Sequence, residues 1–257
     1  MQIVDEVLIM HLRNSEVLYD ANRIESFLQA LAAKEYYICS EAEDTTYSPL
    51  WGKWSAALNS GTDLPAPLHA GISEQAIADV TLFCSEKKDQ LILHGFSVAT
   101  DIFSSSKVRL FTGFEWRLGF IPEQAIVYIG YGRWHFTLRQ DGWQAYELWL
   151  AIIQLIYHHW HPIYGYLSDA MGGERETAYE DILAKKITYL YFLNLLSPEI
   201  VEAIGRERIA TVVAQRVIPL DDGGVMIIPI DNLLPDFYHY NYMRVAEHLG
   251  LKSPGLT

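Results

Sequence analysis

The chain has 257 residues, 50% of them hydrophobic and 13% aromatic, ample apolar surface for a core that needs no disulfide or metal staple. Asp and Glu outnumber Lys and Arg 32 to 19, and the resulting charge of -13 repels a phosphate backbone, so nucleic acid is not an expected ligand. The two cysteines, Cys39 and Cys84, have no CxxC or zinc-knuckle spacing, and the opening MQIVDEVLIM carries Asp5 and Glu6 where an export leader would be basic.

The elements follow from hydrophobic period. Ile3 to Leu12 mixes apolar and polar positions as a strand does, and Tyr19 to Ala33 sets Ile24, Phe27, Leu28 and Leu31 at helical spacing. Glu41 to Gly71 is rich in Pro, Gly, Ser and Asp and reads as a long excursion. Val108 to Phe120 and Ala125 to Leu138 alternate aromatic and polar residues and read as neighbouring strands. Asp141 and Gln144 have capping-box form and open a helix that runs to about His159, where Pro162 stops it. Its longest apolar run, Leu148 to Tyr157, is well short of the ~20 residues of a membrane span, so no membrane partner is expected.

An acidic connector, DAMGGERETAYED, precedes a strand expected over Ile187 to Leu196. In SPEIVEAIG, Ser197 is placed as an N-cap, Pro198 as the first helical residue and Gly205 as the stop. Asp221 to Gly224 joins two β-rich runs, Thr211 to Leu220 and Val225 to Ile230, as a hairpin turn does. A last helix runs from about Phe237 to Leu249. The expected class is α+β, with mixed or antiparallel sheets and packed helices in one domain over 1–257. The order can also be read as two related β-α-β-β-α halves, 1–160 and 161–257, sharing a tight interface.

The segment IYHHWHPIYGY holds three histidines in four positions and poses the one question of chemistry. At ~100° per residue, Tyr146, Trp149, Leu150, Ile153, Ile156, Tyr157 and Trp160 share a broad apolar face, and Glu147, Gln154, His158 and His161 a narrow polar strip. His158 and His161 lie ~60° apart, while His159 points ~100° or more from both, so three ligands cannot converge on one ion. Glu147 is ~16 Å away along the axis. Packing and the helix C-terminal dipole account for the cluster better, and neither metal nor cofactor is expected.

Other catalytic patterns are absent: no GxSxG, GxGxxG opening a helix, GxxxxGK[ST] or HExxH. Asp221 with Asp222, and Glu41, Glu43 and Asp44, fall in expected loops as solvated charges rather than a catalytic acid and base.

In the C-terminal third, the succession HPIYGYLSD, YLYFLNLLSPEIVEAIG, VIPLDDGGVMIIP and YNYMRVAEHLGL resembles the type VI immunity family, cytoplasmic proteins encoded beside polymorphic or secreted toxins. The features that carry the resemblance are Pro162, Tyr164 and Gly165 after the long helix, Asn194 and Gly205 around the short one, Gly223 and Gly224 in the hairpin, and Tyr242 in the last helix. The resemblance implies a cytoplasmic, non-catalytic inhibitor that occludes a cognate toxin. With a charge of -13 the toxin surface is expected to be basic, and two acidic patches are the candidate contacts: Glu41, Glu43 and Asp44, and Glu174, Glu176, Glu180 and Asp181. The rival readings are a metal-dependent hydrolase built on His158 and His161 and a small-molecule binding module with an aromatic cleft.

Overall fold

A computed structural model describes residues 5–34, 37–39, 94–103, 109–121, 125–132, 142–169, 177–230 and 240–253, with isolated helical positions between 74 and 85. The described strands are β1 (Asp5–His11), β2 (Tyr37–Cys39), β3 (His94–Phe103), β4 (Arg109–Ile121), β5 (Ile126–Gly132), β6 (Tyr164–Asp169), β7 (Asn194–Leu196), β8 (Arg216–Pro219) and β9 (Val225–Ile228). The helices are α1 (Ala21–Ala32), α2 (Gly142–Trp160), α3 (Tyr179–Leu183), α4 (Pro198–Ile204), α5 (Arg206–Thr211) and α6 (Tyr240–Leu249). The fold is α+β: these nine strands form one sheet in the order β2-β3-β4-β5-β1-β6-β7-β9-β8, every neighbouring pair antiparallel.

Ladder register sorts the central side chains onto two faces, because successive residues of a strand point opposite ways. Leu8 and Met10 align with Ile129 and Val127 on one side and with Leu167 and Gly165 on the other, giving an aliphatic face. Ile9 and His11 align with Tyr166 and Tyr164, and Tyr166 in turn with Asn194, giving a polar-aromatic face. Leu8, Met10 and Tyr164 are all fully buried, so the centre of the sheet is covered on both sides. Gly165 is required by close approach: a Cβ there would stand 2.9 Å from both Leu195 and Met10.

Asp20 caps α1 by accepting from the Asn22 and Arg23 amides at 3.1 and 3.3 Å, and Ile24, Phe27, Leu28 and Leu31 are buried as their spacing requires. All seven residues assigned to the apolar face of α2 are buried, and Phe27 meets Trp160 edge-on at 4.7 Å where the two helices pack.

Asn194 organises the polar-aromatic face. Its Oδ1 accepts from the Tyr191 amide at 2.9 Å and from the Tyr164 hydroxyl at 3.3 Å, and its Nδ2 donates to the Tyr191 carbonyl at 2.6 Å. Tyr166 stacks on Tyr191 at 4.3 Å, and Tyr242 of α6 donates to the Leu190 carbonyl. Here the expected strand over Ile187 to Leu196 is corrected: only Asn194–Leu196 joins the ladder, and Tyr189 makes an isolated bridge to Lys252. The Asn194 side chain supplies the bonds that a ladder would have made, and the loop closes around it.

Two further differences are one of length and one of a strand not expected. The run from Thr211 to Leu220 is strand only over Arg216–Pro219; Arg206–Thr211 is helical, and the Thr211 hydroxyl bonds the Glu207 carbonyl at 2.8 Å at its end. Strand β3 was not anticipated, although Phe96 and Val98 alternate in HGFSVATDIF; its register against β4 shifts between Thr100 and Phe103. The end of the strand expected to reach Leu138 and the start of the helix expected from Phe237 lie outside the described residues.

These contacts set an order of stabilities. Ile153→Ala should cost about 3 kcal/mol as a core cavity and Ile153→Asp more, because an unpaired charge would enter the core. Asn194→Ala should cost about 2 kcal/mol or more by orphaning buried backbone groups. His159→Ala should cost about 1 kcal/mol. Urea unfolding midpoints provide the check, and equal losses for Ile153→Ala and His159→Ala would contradict the assignment of faces.

Candidate functional site

Pro162 cannot continue α2, and His161, at a φ of 45°, occupies the left-handed position that ends it. The His161 amide still closes the last turn on the Tyr157 carbonyl at 2.8 Å. That turn presents Tyr157, His158 and His161 together, and the turn between β8 and β9 docks against it.

The docking is specific. His158 Nδ1 lies 3.4 Å from Asp221 Oδ2, and His161 Nδ1 lies 3.8 Å from Asp222 Oδ2. Tyr157 donates its hydroxyl to the Asp222 carboxylate, at 3.0 and 3.2 Å, and the Gly224 amide donates to Asp222 Oδ1 at 2.8 Å. Burial first, and then the Asp222 charge and hydrogen bond, raise the Tyr157 pKa, so its hydroxyl stays protonated and remains a donor. Gly223 takes a φ of 91°, and a Cβ on Gly224 would run into the Tyr157 hydroxyl and stand 2.6 Å from the Leu196 carbonyl oxygen. The two glycines let the turn approach α2 this closely.

His158 and His161 do share one face, as the helical spacing requires, but each meets an aspartate of the hairpin. Only about 40 Å³ of space lies between the elements. Glu147 is engaged elsewhere, with Arg216 at 2.6 Å. Among the described residues no group of three or more His, Cys, Asp or Glu side chains is arranged to hold a metal ion. His159 points toward α1: its Nδ1 lies 2.8 Å from the Leu155 carbonyl, its ring meets Phe27 edge-on at 5.2 Å, and burial lowers its pKa. Asp222 is thus no simple solvated loop charge, whereas the Asp221 side chain, though 3.4 Å from His158, is 88% exposed.

Of the acidic candidates, Glu180 and Asp181 are described and exposed, side by side in the first turn of α3, where the helix dipole favours negative charge. Their turn is pinned on both sides: Ile182 is fully buried, and the Tyr179 hydroxyl donates to the Leu12 carbonyl at 2.7 Å. Glu41, Glu43, Asp44, Glu174 and Glu176 lie outside the described residues.

One residue with unusual chemistry was missed. His11, 7% exposed at the end of β1, stacks between Tyr166 and Tyr179 at 5.8 and 5.9 Å, and neither ring nitrogen has a hydrogen-bond partner among the described residues. Burial lowers its pKa to about 4. Strand alternation was the available signal, since it sets His11 on the same face as Ile9. Among the described residues no helix is long and apolar enough to cross a membrane. Compared with protein-family models and with curated proteins, the chain matches none.

Two outcomes are expected. Asp222→Ala should destabilise by about 1 to 2 kcal/mol through loss of the Tyr157 and Gly224 bonds, and Asp221→Ala by less than about 0.5 kcal/mol, as measured by urea unfolding. The His11 pKa is about 4 when folded against 6.5 when free, so the unfolded chain takes up the proton first and stability falls as pH drops through that window. The loss is about 3 kcal/mol, complete below pH ~4. His11→Phe should flatten that part of the stability profile, and an unchanged slope would show that other groups set it.

Proposed function

We propose that this protein is an immunity-like inhibitor that binds a cognate toxin in the cytoplasm and blocks it by occlusion, without catalysis of its own. The observation that carries the reading is the display of Glu180 and Asp181, two exposed carboxylates on a helical turn that Tyr179 and Ile182 fix to the body of a chain of charge -13. A fixed acidic projection steers a basic surface into register at little entropic cost. The four stretches that resemble the type VI immunity family also support it. They supply β6, β7 with α4, the β8–β9 hairpin and α6, and their four strands are consecutive neighbours in the sheet. The toxin surface expected is basic, and Glu41, Glu43, Asp44, Glu174 and Glu176 extend the acidic character in sequence.

The rival hydrolase reading has one observation in its favour, the shared face of His158 and His161. Metal analysis of protein purified without a histidine tag decides it, and stoichiometric metal would favour the hydrolase.

The inhibitor reading is tested by binding kinetics against the product of the neighbouring reading frame. Reversing Glu180 and Asp181 to Lys should slow association by about tenfold at low salt and weaken its salt dependence, with a smaller change in dissociation. Thermal stability should stay within about 2 °C, since solvated charges contribute little to folding. An unchanged association rate would remove this turn as the steering element, and wild-type protein that does not bind would remove the reading for that pair.

A further inference from the structure

A second surface, of opposite chemistry, lies on α6. Helical spacing sets Asn241, Arg244, Val245 and His248 on one side of that helix, and this side, with residues 213–215 before β8 and residues 229–230 after β9, encloses an open pocket of about 190 Å³. Small-molecule sites start at about 300 Å³, so the space suits one inserted side chain better than a whole ligand.

Three features give the pocket a preference. Arg244 is exposed, lies 5.6 Å from the centre of the Tyr240 ring, and forms no ion pair among the described residues, in a chain where acids outnumber bases 32 to 19. Glu247, three residues on, is not among the residues that line the pocket. Val213, at the pocket wall, and Tyr240, beside it, are 84% and 70% exposed, the two most open large apolar side chains among the described residues. His248 is held in place, its Nε2 3.0 Å from the Arg208 carbonyl and 3.2 Å from the Thr211 hydroxyl, so the wall it forms is fixed.

An arginine without an ion pair among the described residues, set over an open tyrosine beside a pocket of mixed polar and apolar lining, is the composition of an interface anchor. The guanidinium fork matches a carboxylate, and Val213, Ile230 and Val245 in the lining offer an aliphatic neighbour its contacts. A phosphate would also match the fork, but its double charge is repelled more strongly by a chain of charge -13. A second copy of the chain brings the same unfavourable net charge with it. We infer that this pocket is a docking site for an acidic segment of a partner protein, which inserts an aliphatic side chain between α6 and the approach to β8 and lays a carboxylate against Arg244. The site is independent of the α3 turn and does not rest on the toxin reading.

The experiment is selection from a displayed library of random nine-residue peptides on the full chain, with the Arg244→Glu chain as counter-target. Enriched peptides should carry Asp or Glu within a few positions of Leu, Ile, Val or Met. Their synthetic forms should lose tenfold or more in affinity to Arg244→Glu and Arg244→Ala, less to Arg244→Lys, and tenfold to Val213→Asp, with Glu180→Lys binding as wild type. Thermal melts of all variants should coincide with wild type. No enrichment over the counter-target, enriched peptides without acids, or affinities insensitive to Arg244→Glu would overturn the inference. So would an Arg244→Glu chain that melts early, which would make Arg244 a fold-holding residue. A wild-type dimer in sedimentation that Arg244→Glu dissolves would replace the partner with a second copy, and tighter binding when phosphoserine replaces the acid would replace the carboxylate.

Discussion

The two-sided pairing of β1 is the constraint from which the arrangement follows. Residues Asp5 to His11 are bonded along one edge to β5 and along the other to β6, both antiparallel. β5 and β6 therefore run parallel to each other with β1 between them, and the chain must cross over the sheet to pass from one to the other. α2 lies in that crossover, 19 residues or about 28 Å of helix with its apolar face buried. A stiff helix ending in a fixed stop delivers its last turn to one place. The Ile163 amide, two residues beyond that stop, bonds the His11 carbonyl at 2.8 Å, so the histidine cluster is tied to the end of the central strand.

The same pairing brings the hairpin to the histidines. β6 pairs with β7, and β7 with β9, so the turn that precedes β9 arrives beside the end of α2. The imidazoles, the aspartates and the Tyr157 hydroxyl meet there because the sheet order puts them together. Their geometry is that of a junction: a carboxylate is shared between a buried phenol and a backbone amide, and a second carboxylate is left to solvent. Neighbouring polar residues can thus play unequal parts. Asp222 holds the turn, and Asp221 contributes charge.

The polar-aromatic face of the sheet shows two ways of burying a polar side chain. Asn194 is fully buried and bonded to Tyr191 on both sides and to Tyr164, so its polarity fixes the path of the loop before β7. The His11 ring is nearly as buried, but neither of its nitrogens is bonded to a described residue, and it is tolerated as a flat neutral ring between two tyrosines. The first arrangement adds conformational specificity, and the second leaves the seam between β1 and α3 sensitive to protonation. Since α3 carries Glu180 and Asp181, the acidic surface rests on that seam, whereas the arginine-tyrosine surface of α6 is anchored through Val245 and Tyr242.

Much of the local structure was legible in the sequence. Period placed α1 and α2, and Pro198 and Gly205 around α4 and the glycines of the β8–β9 turn placed those elements, because each depends on residues close to one another in sequence; the Asp20 cap of α1 was not anticipated, and Asp141 lies outside the described residues. The divergent fates of His158, His159 and His161 were legible too, since helical phase alone separates them. Tertiary structure decided what lies opposite each phase. It paired the two exposed histidines with the hairpin aspartates, turned an expected strand into a loop around Asn194, set His11 between Tyr166 and Tyr179, and left Arg244 beside an open pocket. None of these is encoded by spacing along the chain, because each joins residues brought together by sheet order, and sheet order is set by which buried faces and backbone edges satisfy one another across the whole fold.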